Sequence, residues 1–339
     1  MTQYTLADLG WSDHFARQHD GTSTPARIAA VHRDRLEALA TDGPLTLTTP
    51  DETGSYAVGD WVLHEGGRVE RRLEPQTVIG RRAAGEVAKG QLIAANVDTL
   101  AIVTSCNADF NEARLERYLA IATAGGALPL ILLTKADMAE DEVDYRRRAE
   151  RLSPLATAMT LDARDPAEID RLAPWGRAGQ TLALVGSSGV GKTTLLNGLT
   201  GLAEATQDIR EDDARGRHTT THRALKPTLA GGWVIDTPGM RELRLTDVGD
   251  GIDAVFADLT ELAQGCRFTD CAHDTEPGCA IQAAISSGAL GAARLTRWQK
   301  LQREDAYNSE SVAEMRARVR GLNRLYSGGR ARSKAKRDI

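Results

Sequence analysis

The chain has 339 residues, too many for one typical domain, with 41% hydrophobic and 26% charged residues, as in an ordinary globular protein. No apolar run is long enough to span a bilayer, and the polar start MTQYTLADLGWSDHFARQ reads as neither signal peptide nor anchor; four cysteines, three of them clustered, exclude a disulfide scaffold and point to a reducing, cytoplasmic setting. The net charge of −5 argues against a nucleic-acid partner taken alone, but residues 316–337 carry nine Lys or Arg and no acid, leaving an acidic body with a basic end.

In chain order, residues 1–25 read as a polar arm with a short helix around 11–18. From 26 to 85, five short runs (ARIAAVHRD, PLTLTTP, YAVGDWVLH, GRVERRLEP and TVIGRR) are broken by Asp42-Gly43-Pro44, Gly59-Asp60 and Gly66-Gly67. That rhythm predicts a small β-barrel of the oligonucleotide-binding (OB) type, with an SH3-like barrel as the alternative. From 90 to 245 the period changes: VDTLAIVTS, LPLILLT, a run at 157–161, QTLALVG and GGWVID are buried strands, separated by helical stretches such as NEARLERYLAIATAGG and 141–152. Continuous apolar strands alternating with helices predict a mostly parallel, doubly wound α/β sheet. Residues 246–312 read as a mainly helical unit holding the cysteine cluster, and 313–339 as a basic tail that is either polyanion-binding or a solvated terminus.

The chemistry lies in short motifs. Gly186, Ser187, Ser188, Gly189, Val190, Gly191, Lys192 and Thr193, followed by Thr194, match G-x-x-x-x-G-K-[ST] between an apolar strand and a helix. The glycines let backbone N–H groups surround phosphates, Lys192 reaches the terminal phosphates and Thr193 ligates Mg²⁺. Thr134, Lys135, Ala136 and Asp137 end another strand with the spacing of a guanine-reading element, in which Asp137 accepts from the guanine N1–H and exocyclic amine and Lys135 lies across the base. Adenine lacks that donor pair and would leave the carboxylate desolvated and unpaired. Asp162-Ala163 is a weaker candidate for a backbone contact to the guanine oxygen. Asp236 and Gly239 belong to DTPG, where Asp236 serves the magnesium shell and Gly239 the γ-phosphate. In RGRHTTTHR, Thr220 is the expected second Mg²⁺ ligand. Met240 stands where a water-orienting glutamine commonly follows this motif, so the intrinsic rate is expected to be low and His218 is the candidate to take that part. Cys266, Cys271, His273 and Cys279 form C-x4-C-x-H-x5-C, a closed set of three thiolates and one imidazole suited to a structural Zn²⁺.

The order of these motifs, base reader before phosphate loop before DTPG, is a circular permutation of the usual one. With GRHTTTHR and CRFTDCAHDTEPGC, over residues 26–310, the chain resembles the ribosome small subunit-dependent GTPase A family. That resemblance implies an OB barrel, a circularly permuted P-loop GTPase domain and a zinc-knuckle domain. It also implies a cytoplasmic enzyme that binds the small ribosomal subunit and its rRNA late in maturation and is stimulated by that subunit. The chain itself is expected to be a monomer without membrane contact. The alternatives are a P-loop kinase of a small metabolite and a GTP-regulated RNA-binding protein without turnover. Nucleotide state is expected to reorient the two flanking units about the GTPase core.

Overall fold

The computed structural model describes residues 3–82, 90–203, 223–236, 245 and 247–309. The arm is built into the fold: its short helix α1 (Asp13–Ala16) carries Phe15, which with Trp11 packs on Trp61 at ring separations of 5.8 and 4.8 Å. In the barrel that follows, β1 (Thr24–Val31) pairs antiparallel with β2 (Leu36–Ala40), and β2 with β3 (Gly43–Leu47). On its other edge β1 pairs with β4 (Trp61–Glu65), which pairs with β5 (Arg68–Arg72). A parallel bridge between Thr48 and Arg68 joins the ends of β3 and β5 and closes the five strands in OB order. Ile28, Leu36, Leu47, Val62 and Val69 fill the interior.

Two strands differ from the sequence expectation. LEALA forms β2, although Leu, Glu and Ala are helix formers, because alternate residues are buried in the barrel. TVIGRR does not join the barrel; as β6 (Val78–Arg82) it pairs with β7 (Gly90–Ala95) in a separate two-stranded sheet.

The main sheet runs β10 (Thr157–Thr160), β9 (Leu128–Thr134), β8 (Thr99–Ser105), β11 (Thr181–Gly186), β13 (Trp233–Asp236), all parallel, then β12 (Ala224–Pro227) antiparallel. Alternate residues serve opposite faces. Leu100, Ile102, Ile131 and Val185 share a core with residues of α2 (Glu112–Ala124) and α3 (Glu142–Glu150). Ala101, Val103, Leu132 and Leu184 pack with α4 (Pro166–Asp170), α5 (Ala173–Gly176) and α6 (Lys192–Thr200). Burial on both faces explains why the strands read as unbroken apolar runs.

The main sheet does not stop at β12. Ala224 pairs with Ala30 of β1, so barrel and α/β sheet are hydrogen-bonded into one. On the other side come α7 (Gly249–Val255), α8 (Ala257–Gln264), α9 (Ala280–Ser286) and α10 (Ala292–Ser309). Gly251 of α7 approaches α2 so closely that a Cβ there would lie 2.1 Å from the Ala120 carbonyl oxygen. The fully buried Glu116 of α2 takes Arg294 at 3.1 Å and Arg297 at 2.7 Å from α10. Among the described residues no helix is long and apolar enough to cross a membrane.

Candidate functional site

The carboxyl ends of the parallel strands, where open α/β sheets place ligands, hold most of the predicted residues. β11 ends at Gly186, whose φ of 142° and approach to β8 require glycine: a Cβ would lie 2.1 Å from the Val103 carbonyl oxygen. The loop turns through Gly189 and Gly191 at φ 79° and 94°, and α6 starts at Lys192 without a side-chain cap. Its first-turn N–H groups, with Thr193 and Thr194 among them, are of the kind that serves an anion. Lys192 Nζ donates to the Gly186 carbonyl at 2.9 Å and to that of Ser187, lying across the cradle. Ser187 is half-buried, Ser188 exposed, and Val190 sits in the core.

The base motif meets this loop directly. Thr134, 1% exposed, places its hydroxyl 2.6 Å from the Val190 carbonyl oxygen and 3.1 Å from that of Thr104. Lys135 then adopts the left-handed region at φ 57°, and a 3-10 turn from Ala136 to Met138 presents Asp137 at the rim. Asp137 Oδ2 accepts from Arg164 Nη2 at 2.6 Å, and Arg164 is held in turn by Asp162 through its backbone N–H, Nε and Nη2 at 2.9, 3.0 and 3.0 Å. The hydrogen bonds from Arg164 hold the Asp162 carboxyl below the usual range. Asp236 ends β13 in register with Leu184 of β11, one strand from the phosphate loop. Gly239, Met240, Thr220, His218 and the basic tail lie outside the described residues.

The second cluster lies between α8 and α10. Cys266 Sγ is 3.9 Å from Cys279 Sγ and 3.5 Å from His273 Nδ1, and Cys279 Sγ is 3.6 Å from that nitrogen. With Cys271, all four ligand atoms fall within 4.8 Å of one another. A tetrahedral Zn²⁺ with bonds of about 2.3 Å to sulfur and about 2.0 Å to nitrogen has edges of roughly 3.8 and 3.5 Å, so the donor set fits zinc. His273 takes a left-handed backbone (φ 59°); Gln282 donates to its carbonyl at 2.7 Å, and its ring lies 5.7 Å from that of Trp298. Cys106, by contrast, is alone at the end of β8, and burial pushes its thiol up to about 11.

A model of the RsgA GTPase family matches residues 72–246 of this chain. The chain belongs to the RsgA GTPase family. It is 56% identical over 317 residues to the small ribosomal subunit biogenesis GTPase RsgA of Mesorhizobium japonicum, covering 90% of this chain and 91% of that protein. Small ribosomal subunit biogenesis GTPase RsgA 2 of Vibrio parahaemolyticus is 44% identical over 331 residues, covering 96% and 92%. Of solved structures, YjeQ from Thermotoga maritima aligns with a TM-score of 0.59 at 22% identity, over 82% of this chain and 96% of its own. YloQ, a circularly permuted GTPase, aligns with a TM-score of 0.59 at 22% identity over 86% and 98%. These two establish the fold.

Membership in the RsgA family makes the chain a GTPase, with GTP and GDP as nucleotides and Mg²⁺ as the accompanying ion, and does not favour the metabolite-kinase alternative. The phosphate loop, the base motif and the cysteine cluster are each legible from the spacing of their residues in the sequence. Arg164 carries no motif of its own and reaches Asp137 only because β9 and β10 pair in parallel, bringing their C-terminal loops to one rim.

Proposed function

We propose that this RsgA-family GTPase hydrolyses GTP during late maturation of the small ribosomal subunit, bound to that subunit and its rRNA, and is released after hydrolysis. The contact between Thr134 and Val190 carries the chemical part of the reading: it seats the base motif on the phosphate loop although 56 residues separate them. The partner is supported by the names of the relatives, which are alike along nearly their whole length.

In this reading the loop from Gly186 to Thr194 holds the phosphates, Lys192 neutralises charge on the terminal ones, and Asp137 reads the base with Lys135 across its plane. Thr193 and Thr220, with Asp236, would hold Mg²⁺, which would supply Lewis-acid neutralisation of the phosphate oxygens. The Gly239 N–H meets the γ-phosphate, and His218 orients the attacking water in place of a glutamine, so turnover is slow until the subunit stimulates it. Cys266, Cys271, His273 and Cys279 hold a structural Zn²⁺. The units divide the work: an arm (1–25), an RNA-binding barrel (26–85), the GTPase (90–245), the zinc unit (246–312) and a basic tail (313–339), in a cytoplasmic monomer without membrane contact.

Turnover measured with and without purified small subunits tests this. Stimulation is expected, with loss of it in a His218→Ala protein that still binds GTP, and with tighter subunit binding in a non-hydrolysable GTP analogue than in GDP. No response to the subunit, or equal affinity in both nucleotide states, overturns it.

A further inference from the structure

The rim of the base site holds two carboxylates, Asp137 and Asp162, with one cation between them. Arg164 Nη2 lies 2.6 Å from Asp137 Oδ2 and 3.0 Å from Asp162 Oδ2, while Asp162 Oδ1 accepts from the Arg164 backbone N–H and from Nε. Asp162 therefore fixes both the backbone and the side chain of Arg164, and the guanidinium is delivered as a preset planar fork. An ionised carboxylate has about four lone-pair sites, so the hold on Oδ2 leaves acceptor capacity on both oxygens. Among the described residues no donor reaches Asp137 Oδ1.

We propose that Arg164 is a positioning residue for guanine specificity, which locks the Asp137 carboxylate in the orientation that accepts both guanine donors at once. This rests on the reading of Asp137 as the base reader. Guanine presents two N–H donors side by side, and a carboxylate receives both only when its plane lies along that edge. Without Arg164 the torsions of Asp137 are set by solvent, and Asp162 opposes it as a like charge across the rim. Exposed as it is, the ion pair contributes little to folding stability; it gains weight when a base covers it and excludes water. The side chain of Arg164 is 67% exposed, so its replacement leaves the core untouched and the thermal midpoint close to that of the wild type.

The test uses the full chain and competition of GDP, IDP and ADP against a fluorescent guanine nucleotide. Arg164→Ala is expected to weaken GDP about tenfold, in line with coupling between contacting groups. IDP, which lacks the exocyclic amine, loses less, so the GDP-to-IDP ratio narrows. Arg164→Lys, which keeps the charge without the fork, recovers part of the loss. In an Asp137→Asn background, where the amide donates to the 2-carbonyl of xanthine, Arg164→Ala changes XDP affinity by no more than about twofold. Unchanged or tighter GDP binding in Arg164→Ala overturns the proposal, and so does an equal loss for XDP in the Asn background, which would mean direct contact with the nucleotide. Should the wild type fail to prefer GDP over ADP, it is the assignment of Asp137 that falls.

Discussion

At the scale of single residues, Thr134 shows how a short side chain serves the base motif. It closes β9 at the height where the phosphate loop turns, and its hydroxyl reaches the Val190 carbonyl over 2.6 Å. Gly191 packs beside it, since a Cβ there would lie 3.6 Å from the threonine side chain. Thr134→Val keeps the shape and removes the donor, leaving a buried carbonyl without its partner. We expect a loss of about 1–2 kcal/mol in denaturant unfolding and a several-fold weaker GDP titration. Wild-type values in both measurements would mean the contact does nothing. The threonine itself was legible as part of TKAD; its partner was not, because nothing in the local sequence points 56 residues ahead.

Among elements, the knuckle and its helices form one mechanical unit. Cys279 is the N-cap of α9, with its sulfur accepting from the Gln282 N–H at 3.5 Å. Gln299 of α10 donates to the Ala272 carbonyl at 3.1 Å, and Trp298 lies against the His273 ring. A segment this small, with little apolar core of its own, would draw much of its order from a zinc ion held by these four donors. Chelation, or Cys271→Ser, is expected to lower the thermal midpoint and the helical circular dichroism signal. Restored zinc should reverse the first and not the second, and GDP affinity should hold, since the proposed nucleotide rim is built from the loops after β9, β10 and β11. A protein that melts identically after its zinc has been removed would refute a structural site. The cysteine spacing announced this element from sequence; the Gln and Trp supports, set on helices that also serve other packing, did not.

For the molecule as a whole, Arg27 decides what can move. It lies on β1 with 1% exposure, and its guanidinium donates to the Leu9 carbonyl at 2.7 Å, the Asn96 carbonyl at 3.1 Å and the Thr181 hydroxyl at 2.8 Å. Burial lowers its pKa to about 10, against the opposing pull of Asp98 and Asp60, so it stays charged at neutral pH. Arm, barrel and the first residue of the strand leading to the phosphate loop thus share one cation, beside the pairing of β1 with β12. The barrel cannot swing on the GTPase sheet without breaking both, which narrows the expected motion of the two flanking units. Arg27→Met orphans these acceptors and should cost about 3 kcal/mol, splitting one calorimetric transition for barrel and sheet into two. A single unshifted transition would show the pin to be idle. The sequence alone determined the GTPase family, the permuted order, a Cys3His spacing that suits a metal and the two-sided burial of the main strands, because each is written in contiguous residues or a short repeat. Only the tertiary structure decided that LEALA is a strand, that TVIGRR leaves the barrel, that the arm is part of the body and that Arg27 and Arg164 join distant segments. Those outcomes depend on burial and on partners far along the chain, and such terms outweigh local propensity by amounts that a linear pattern does not carry.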